Sequence, residues 1–144
     1  MSEQNKVAMR RFYDDVVNKG NVDLIDDLLT EDFREYEQLP PGLEPTREGV
    51  KQLFRTFREA FPDLRFEVED LLADDDKVVA RITIRGTHEG EFMGIPATGK
   101  KVEFGGIDIV QFRDGKAVAH WGVSDTAGML EQLGAIPAQA GAPA

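Results

Sequence analysis

The sequence predicts an α+β domain in which helices lie on one side of a curved antiparallel sheet. Before residue 62, apolar residues recur at the spacing of amphipathic helices. From residue 64 onward they alternate with polar residues, which is the pattern of half-buried strands. Helices and strands that are segregated along a chain in this way are typical of the α+β class.

The composition limits the classes of function that the chain can serve. A length of 144 residues matches one domain, and the absence of cysteine excludes disulfides, thiolate zinc sites and cysteine nucleophiles. The formal net charge of −10 argues against binding to nucleic acid or to anionic membrane surfaces. Because the chain has neither a signal-peptide pattern nor an apolar run of membrane length, we expect a cytoplasmic protein.

The first half of the chain is predicted to be helical. The predicted segments are residues 4–19, a short helix after Asn21, a helical turn at 30–33, and residues 47–61. Gly20 ends the first helix as a C-terminal glycine cap, and Asn21 and Thr46 are suitable N-caps for the helices that follow them. Three prolines between residues 39 and 45 predict an irregular loop.

The second half is predicted to form four antiparallel strands and a final helix. The predicted segments are strands at 64–69, 78–85, 102–113 and 117–124, and a helix at 126–133. Asp114-Gly115 is a strong signal for a two-residue hairpin turn. Residues 135–144 are mostly Ala, Gly and Pro, and we expect either a loose tail or a strap on a partner subunit.

The third strand carries large apolar residues on both faces. Phe104, Val110 and Phe112 lie in one phase, and Ile107 and Ile109 lie in the other. The helices can cover one face, and a twisted sheet that curls around them would enclose an apolar pocket. A second subunit is the simplest cover for the other face, so the sequence predicts a homodimer.

Asp125 and Asp108 are the two carboxylates with a candidate catalytic role. Asp125 follows the last strand and could perform acid–base chemistry at the pocket mouth, but an Asp directly before a helix is also a preferred N-cap. Asp108 lies in the apolar phase of its strand, where a carboxylate is costly unless it is functional or paired. Its alternative is an ion pair with Arg81 or Arg85 across the sheet.

Four further side chains are candidates for the pocket. His88 lies at a strand end, where it either lines the pocket or is solvated. His120 and Trp121 are neighbours in one strand, so only one of them can face the pocket. Tyr13 could donate a hydrogen bond to an oxyanion or could pack at the core edge. Neither histidine has a partner at metal-ligand spacing, and we expect no metal.

Several segments together resemble the SnoaL-like polyketide cyclase family. They are Phe12-Tyr13 with residues 18–21, and the segments 90–100, 107–116 and 120–125. The resemblance covers nearly the whole chain and implies one domain over residues 1–134. It also implies the cone-shaped α+β barrel of the nuclear-transport-factor-2-like superfamily, which is usually dimeric.

The resemblance also implies a reaction and the residues that would carry it out. Family cyclases close a ring by intramolecular aldol condensation of a polyketide ester, without metal or cofactor. In them an aspartate just after the tryptophan of the last strand acts as acid and base, and the matching residue here is Asp125. A pocket histidine of the family corresponds to Gln111, and a glutamine cannot carry a proton.

Two functions of different class follow as hypotheses. The first is a cofactor-independent enzyme that acts on an apolar carbonyl compound, either as a cyclase or as an isomerase of the ketosteroid type through the same enolate. The second is a dimeric module that binds an apolar small molecule without chemistry. The position of the carboxylates relative to the pocket distinguishes them, because a distant carboxylate cannot act as a base.

Overall fold

The structure of the protein, a computed structural model, describes residues 2–137. The helices are α1 (Ser2–Arg11), α2 (Ile25–Leu28), α3 (Arg47–Ala60) and α4 (Thr126–Leu133), and the strands are β1 (Leu29–Glu35), β2 (Arg65–Asp74), β3 (Lys77–Thr87), β4 (Lys101–Arg113) and β5 (Lys116–Ser124). A π-helical turn, Phe12–Val17, continues α1, and a 3-10 turn, Val22–Leu24, precedes α2.

The strands form one curved sheet in the order β1-β5-β4-β3-β2. Strands β2 to β5 are antiparallel neighbours, as the alternation predicted, and Asp114 and Gly115 both have the positive φ that their hairpin turn requires. The predicted α+β class with a curved sheet around N-terminal helices is confirmed. The sheet is mixed rather than purely antiparallel, because a fifth strand, β1, pairs parallel with β5.

The helical turn predicted at residues 30–33 is wrong, since these residues belong to β1. In this strand Leu29, Phe33 and Glu35 are buried, while the residues between them are more exposed. The backbone pairs with the exposed edge of β5, where Glu35 lies opposite His120. This pairing joins segments about 85 positions apart, so local sequence pattern alone does not reveal it.

The N-terminal helix runs from Ser2 to Val17, two residues earlier at each end than the predicted 4–19, and changes its winding at Phe12. Gly20 follows it with φ +75°, consistent with the predicted glycine cap. The Asn18 amide oxygen accepts from the backbone N–H of Phe66 at 2.7 Å, and its nitrogen donates to the Phe66 carbonyl at 3.0 Å. These two bonds fix the end of the helix against β2, which positions the π-helical turn beneath the sheet.

Helix α3 closes the cone from the other side. The Thr46 side chain accepts from the backbone N–H of Gly49, as expected of an N-cap. The loop that leads from β1 into α3 passes so close to the helix that a Cβ at Gly49 would overlap the Glu44 carbonyl oxygen. The loop from residue 36 to residue 45 is therefore held against the first turn of α3.

The convex face of the sheet has a row of apolar side chains, which we call the outer row. It consists of Leu72, Val79, Ile109 and Trp121, which lie opposite one another across β2, β3, β4 and β5. Leu72 is 65% exposed, and the neighbouring Val123 is 70% exposed. The helices cover only the concave face, so the structure leaves Leu72 exposed and the other three residues of this row partly exposed.

Among residues 2–137, no helix combines the length and the apolar character needed to cross a bilayer. The tail predicted at residues 135–144 lies outside the described residues beyond position 137.

Candidate active site

A cavity of about 690 Å³ lies between the helices and the concave face of the sheet. Its walls are predominantly aromatic, because eight of the nine phenylalanines of the chain contribute to them: Phe12, Phe33, Phe54, Phe57, Phe66, Phe92, Phe104 and Phe112. The volume falls within the range of sites for small molecules. This is the pocket that the apolar phases of the helices and strands predicted.

One wall of the cavity is polar. Five side chains form this wall, and we call them the polar cluster: Tyr13, Glu35, Glu37, Asp108 and His120. His120 Nε2 lies 2.8 Å from Asp108 Oδ1, and its Nδ1 lies 2.5 Å from Glu35 Oε2. The Tyr13 hydroxyl donates to the other Asp108 oxygen at 2.6 Å. The side chains of His120, Asp108 and Glu35 are only 16%, 15% and 6% exposed, so these bonds form largely out of water.

The alternation of the strands places Asp108 and His120 on the concave face. Asp108 lies opposite Gly122 in the register of β4 with β5, and His120 lies opposite Val110. A Cβ at position 122 would overlap Glu37 Oε1 and Asp108 Oδ1, which are the ends of flexible side chains. The absence of a side chain at residue 122 therefore leaves the room that these two carboxylate oxygens occupy.

Residues in the segment from Glu35 to Glu37 contact β5 on both of its faces. The backbone N–H of Tyr36 donates to the His120 carbonyl at 2.9 Å, and the Glu37 N–H donates to Glu35 Oε2 at 3.2 Å. The ring of Tyr36 lies on the convex side, stacked on Trp121 with ring centres 5.1 Å apart. The alternation of β1 thus continues to Glu37, which puts both glutamates on the cavity side with His120.

The polar cluster contains groups with shifted proton affinity. Burial alone would lower the pKa of His120, but its hydrogen bonds to Asp108 and Glu35 and the charges of these carboxylates raise it to about 10. Burial raises the pKa of Glu37 to about 7, His120 opposes this rise, and the charges of Asp108 and Glu35 add to it. Burial and the adjacent Asp108 also raise the pKa of Tyr13.

Glu37, Asp108 and His120 offer ligand atoms within 4.8 Å of one another, which makes them a candidate metal-binding group in the part of the chain that the structure describes. A metal would require the neutral imidazole with a free lone pair on Nε2. His120 Nε2 lies 2.8 Å from Asp108 Oδ1, and the hydrogen bonds to Asp108 and Glu35 raise the pKa of His120. A metal at this point would therefore have to displace a proton and the hydrogen bond between His120 and Asp108.

The structure brings three of the seven candidate residues together, namely Tyr13, Asp108 and His120. Asp108 has no arginine partner, because Arg81 and Arg85 lie on the convex face and pair there with Asp70, Glu67 and Glu103. The alternation separates His120 from Trp121 as expected, with His120 on the cavity side.

The other candidates lie outside the cavity lining. His88 is neither solvated nor a lining residue, because it is completely buried, packs on Phe61 and accepts at Nδ1 from the Thr98 N–H at 3.2 Å. Gln111 is in the convex phase of β4 and donates to Asp76 at 2.8 Å. Trp121 is in the same phase, stacked on Tyr36 beneath Lys77.

Asp125 is exposed and is absent from the cavity lining. Its carboxylate accepts from the Gly128 N–H at 2.9 Å, which makes it the N-cap of α4. The geometry thus corresponds to the capping alternative, and the acid–base role that the resemblance implies has no cavity access at this position.

Sequence reasoning missed Glu35, Tyr36 and Glu37. The signal was present, because Phe33, Glu35 and Glu37 continue one phase of a strand. Interpretation of residues 30–33 as a helical turn concealed that phase.

The capping role of Asp125 gives a direct stability prediction. Replacement by Ala should lower the free energy of unfolding by about 1 kcal/mol, whereas replacement by Asn should change it little, since Asn caps helices equally well. Denaturant unfolding of both variants measures the difference. Equal stability of the Ala variant and the unmodified protein would contradict the assignment.

Comparisons with known proteins identify a family for this chain. The family model described as SnoaL-like polyketide cyclase matches residues 7–133. The aklanonic acid methyl ester cyclase AcmA of Streptomyces galilaeus is 31% identical over 142 residues, covering 93% of this chain and 92% of that protein. The nogalonic acid methyl ester cyclase of Streptomyces nogalater is 26% identical over 118 residues, covering 81% and 88%.

The likeness extends to solved structures. AclR, a candidate hydroxylase from Streptomyces galilaeus, superposes with a TM-score of 0.86 at 30% identity, covering 98% of this chain and 87% of that one. The family match spans the helices, the sheet and the polar cluster alike. The chain therefore belongs to the SnoaL-like polyketide cyclase family, on the nuclear-transport-factor-2-like fold.

Proposed function

We propose that this protein is a cofactor-independent enzyme that closes a ring in an apolar polyketide ester by acid–base chemistry. The observation that carries the proposal is the hydrogen-bonded chain Tyr13–Asp108–His120–Glu35 on the wall of an aromatic cavity. Proton carriers that are fixed beside an apolar binding volume are what carbon–carbon bond formation through an enolate requires.

The cavity favours a neutral aromatic substrate. None of the described residues that line it is Lys or Arg, while Glu35, Glu37 and Asp108 are acidic. A free carboxylate would meet no cation except His120, which is already shared by two carboxylates. The two curated relatives are named for methyl esters, which lack the negative charge of the acids, and this supports an ester as the substrate class here.

The ring closure can be written as a balanced proton cycle. A base removes a proton from the carbon beside one carbonyl, and the resulting enolate carbon attacks a second carbonyl of the same molecule. The new alkoxide then receives a proton, so that no co-reactant is consumed. The Tyr13 hydroxyl proton is donated to Asp108, and the His120 N–H groups are donated to Asp108 and Glu35. Either group therefore stabilises the oxyanion by exchanging a carboxylate acceptor for it, and one such donor contributes about 3 kcal/mol.

The position of the carboxylates also bears on the alternatives. Asp108 and Glu37 both line the cavity, so a bound molecule can touch them, which favours an enzyme over a binding module without chemistry. An isomerase of the ketosteroid type would use the same enolate. The names of the relatives favour ring closure between these two.

The proposal can be tested with aklanonic acid methyl ester, the compound after which one relative is named. Asp108→Asn and Tyr13→Phe should each lower kcat about 100-fold, because each removes or misdirects a donor–acceptor pair at the oxyanion. Asp125→Asn should leave kcat unchanged, since its cap is retained. Chromatography of the cyclised isomer gives the rates. Loss of turnover in Asp125→Asn with normal turnover in Asp108→Asn would contradict the proposed site.

We also propose that two copies pair through the convex face of the sheet. The outer row and the adjacent Val123 give this face an apolar centre, with Leu72 and Val123 more than half exposed. The charges at its border have both signs, including Arg81 with Asp70 and Arg85 with Glu103. A face of mixed charge around an apolar centre can be complementary to its own copy across a two-fold axis.

Light scattering after size exclusion measures this pairing. The unmodified protein should elute as a dimer at micromolar concentration, and the double variant Leu72→Arg with Val123→Arg should elute as a monomer, because two cations would be buried without partners. Val7→Arg is the matched control, since Val7 is 67% exposed on α1, away from the sheet. A monomeric unmodified protein, or a double variant that remains dimeric, would refute the proposed interface.

A further inference from the structure

We infer that Glu37 is the catalytic base of this cavity and that it deprotonates small apolar aromatic carbon acids in general, beyond the substrate of ring closure. This inference rests on the proposed function and deepens it, because it assigns the proton transfer to one side chain of the polar cluster, the Glu37 carboxylate. It also extends that function, because an aromatic cavity with one available base should not require a polyketide.

The hydrogen bonds of the polar cluster leave Glu37 as its available carboxylate. Asp108 accepts from Tyr13 on one oxygen and from His120 on the other. Glu35 accepts from the His120 ring and from the Glu37 backbone N–H. Among residues 2–137, no group donates a hydrogen bond to the Glu37 carboxylate, whose lone pairs are therefore free to accept a proton from a bound molecule.

The position of Glu37 depends on an anchored neighbour and on the space at Gly122. Its Oε1 lies where a Cβ at residue 122 would overlap it. The adjacent Tyr36 is anchored to β5 by its backbone hydrogen bond to His120 and by stacking on Trp121. The Glu37 carboxylate, which belongs to the loop after β1, thus lies beside Gly122, the residue of β5 opposite Asp108.

The surroundings adjust Glu37 to proton transfer near neutral pH. The charged and titratable groups that face it are Glu35 on β1, Tyr13 after α1, Asp108 on β4 and His120 on β5. The cavity-lining residues of α3 and α4 are uncharged. Burial raises the pKa of Glu37 to about 7, so the group changes protonation state where a general base is most effective.

His120 is positioned to complete the reaction. Its Nε2 lies 3.9 Å from Glu37 Oε1, which places an imidazolium beside the base without a direct hydrogen bond. A molecule that loses a proton to Glu37 develops negative charge within reach of His120 and Tyr13. The side chain of Glu37 is 32% exposed, so its acquired proton can return to solvent after each turnover.

The probe that isolates this step is 5-nitrobenzisoxazole, a neutral aromatic molecule small enough for the cavity. The Glu37 carboxylate takes the proton from the ring carbon next to nitrogen, the C–H electron pair becomes part of the new nitrile, and the N–O bond breaks. The oxygen leaves as 2-cyano-4-nitrophenolate, and Glu37 then releases its proton to solvent. The reaction is an isomerisation followed by proton release, and it consumes no co-reactant.

The test is the rate of phenolate formation, which is followed by absorbance. The unmodified protein should accelerate the reaction above the buffer rate, with a rate that rises through pH of about 7 as Glu37 ionises. Glu37→Gln should lower this rate at least 100-fold. Asp125→Asn, the matched change from carboxylate to amide outside the cavity, should leave it unchanged. A rate in Glu37→Gln equal to that of the unmodified protein, or no acceleration by the unmodified protein, would overturn the inference.

Melting temperature separates lost chemistry from lost folding. The pKa of Glu37 is raised in the folded state, so its ionisation opposes folding as pH rises from the unfolded value through about 7. Glu37→Gln should therefore melt no lower than the unmodified protein at pH 8. If Glu37→Gln lost the activity only through unfolding, this temperature would fall, and the inference would lose its support.

The two proposals can fail independently. Glu37-dependent ring opening of the probe without turnover of aklanonic acid methyl ester would contradict the proposed cyclase function and leave the base assignment intact. Turnover of the ester together with full probe activity in Glu37→Gln would contradict the base assignment alone.

Discussion

The imidazole of His120, held between two carboxylates on the concave face of the sheet, is the interaction on which the site depends. Removing three charged groups from water is costly, and the cost is offset only when each hydrogen bond is made with good geometry. Glu35 and Asp108 supply the two acceptors, one for each ring nitrogen. This requirement determines which strands must be neighbours.

The order of the sheet follows from that requirement as much as from its apolar core. Asp108 comes from β4 and His120 from β5, which the hairpin at Asp114 joins directly. Glu35 can reach the other ring nitrogen only if β1 adds to the free edge of β5, and it does so in parallel, with Glu35 opposite His120. The parallel strand thus completes the polar cluster.

The aromatic walls of the cavity change the electrostatic environment of the polar cluster. The phenylalanines exclude water from one side of the carboxylates, which raises the pKa of Glu37 and strengthens the hydrogen bonds of His120. The pKa values of Glu37 and His120 are both raised above their ordinary values, so a carboxylate that titrates near neutrality lies 3.9 Å from an imidazolium. Gly122 permits this arrangement by leaving room for the carboxylate of Glu37.

Local pattern predicted the elements that local forces determine. Period-two alternation located β2 to β5, and N-caps and glycines located α3 and α4, because these signals lie within each segment. Alternation also assigned His120 and Trp121 to opposite faces. Residues 29–37 could not be placed in this way, since β1 gains its backbone partners from β5, far along the chain. The resemblance indicated the family correctly, but Asp125 in this chain is a cap, and the carboxylates that line the cavity are Glu35, Glu37 and Asp108.

The protonation state of His120 is the property on which the proposed site depends most. The chain has only two histidines, so nitrogen-15 chemical shifts of the rings can be assigned with a single variant, His120→Asn. We expect the His120 ring to remain an imidazolium through neutral pH and to lose its proton only near a pH of about 10. Titration of His120 near the ordinary histidine pKa of about 6.5 would contradict the ion pair on which the site is built.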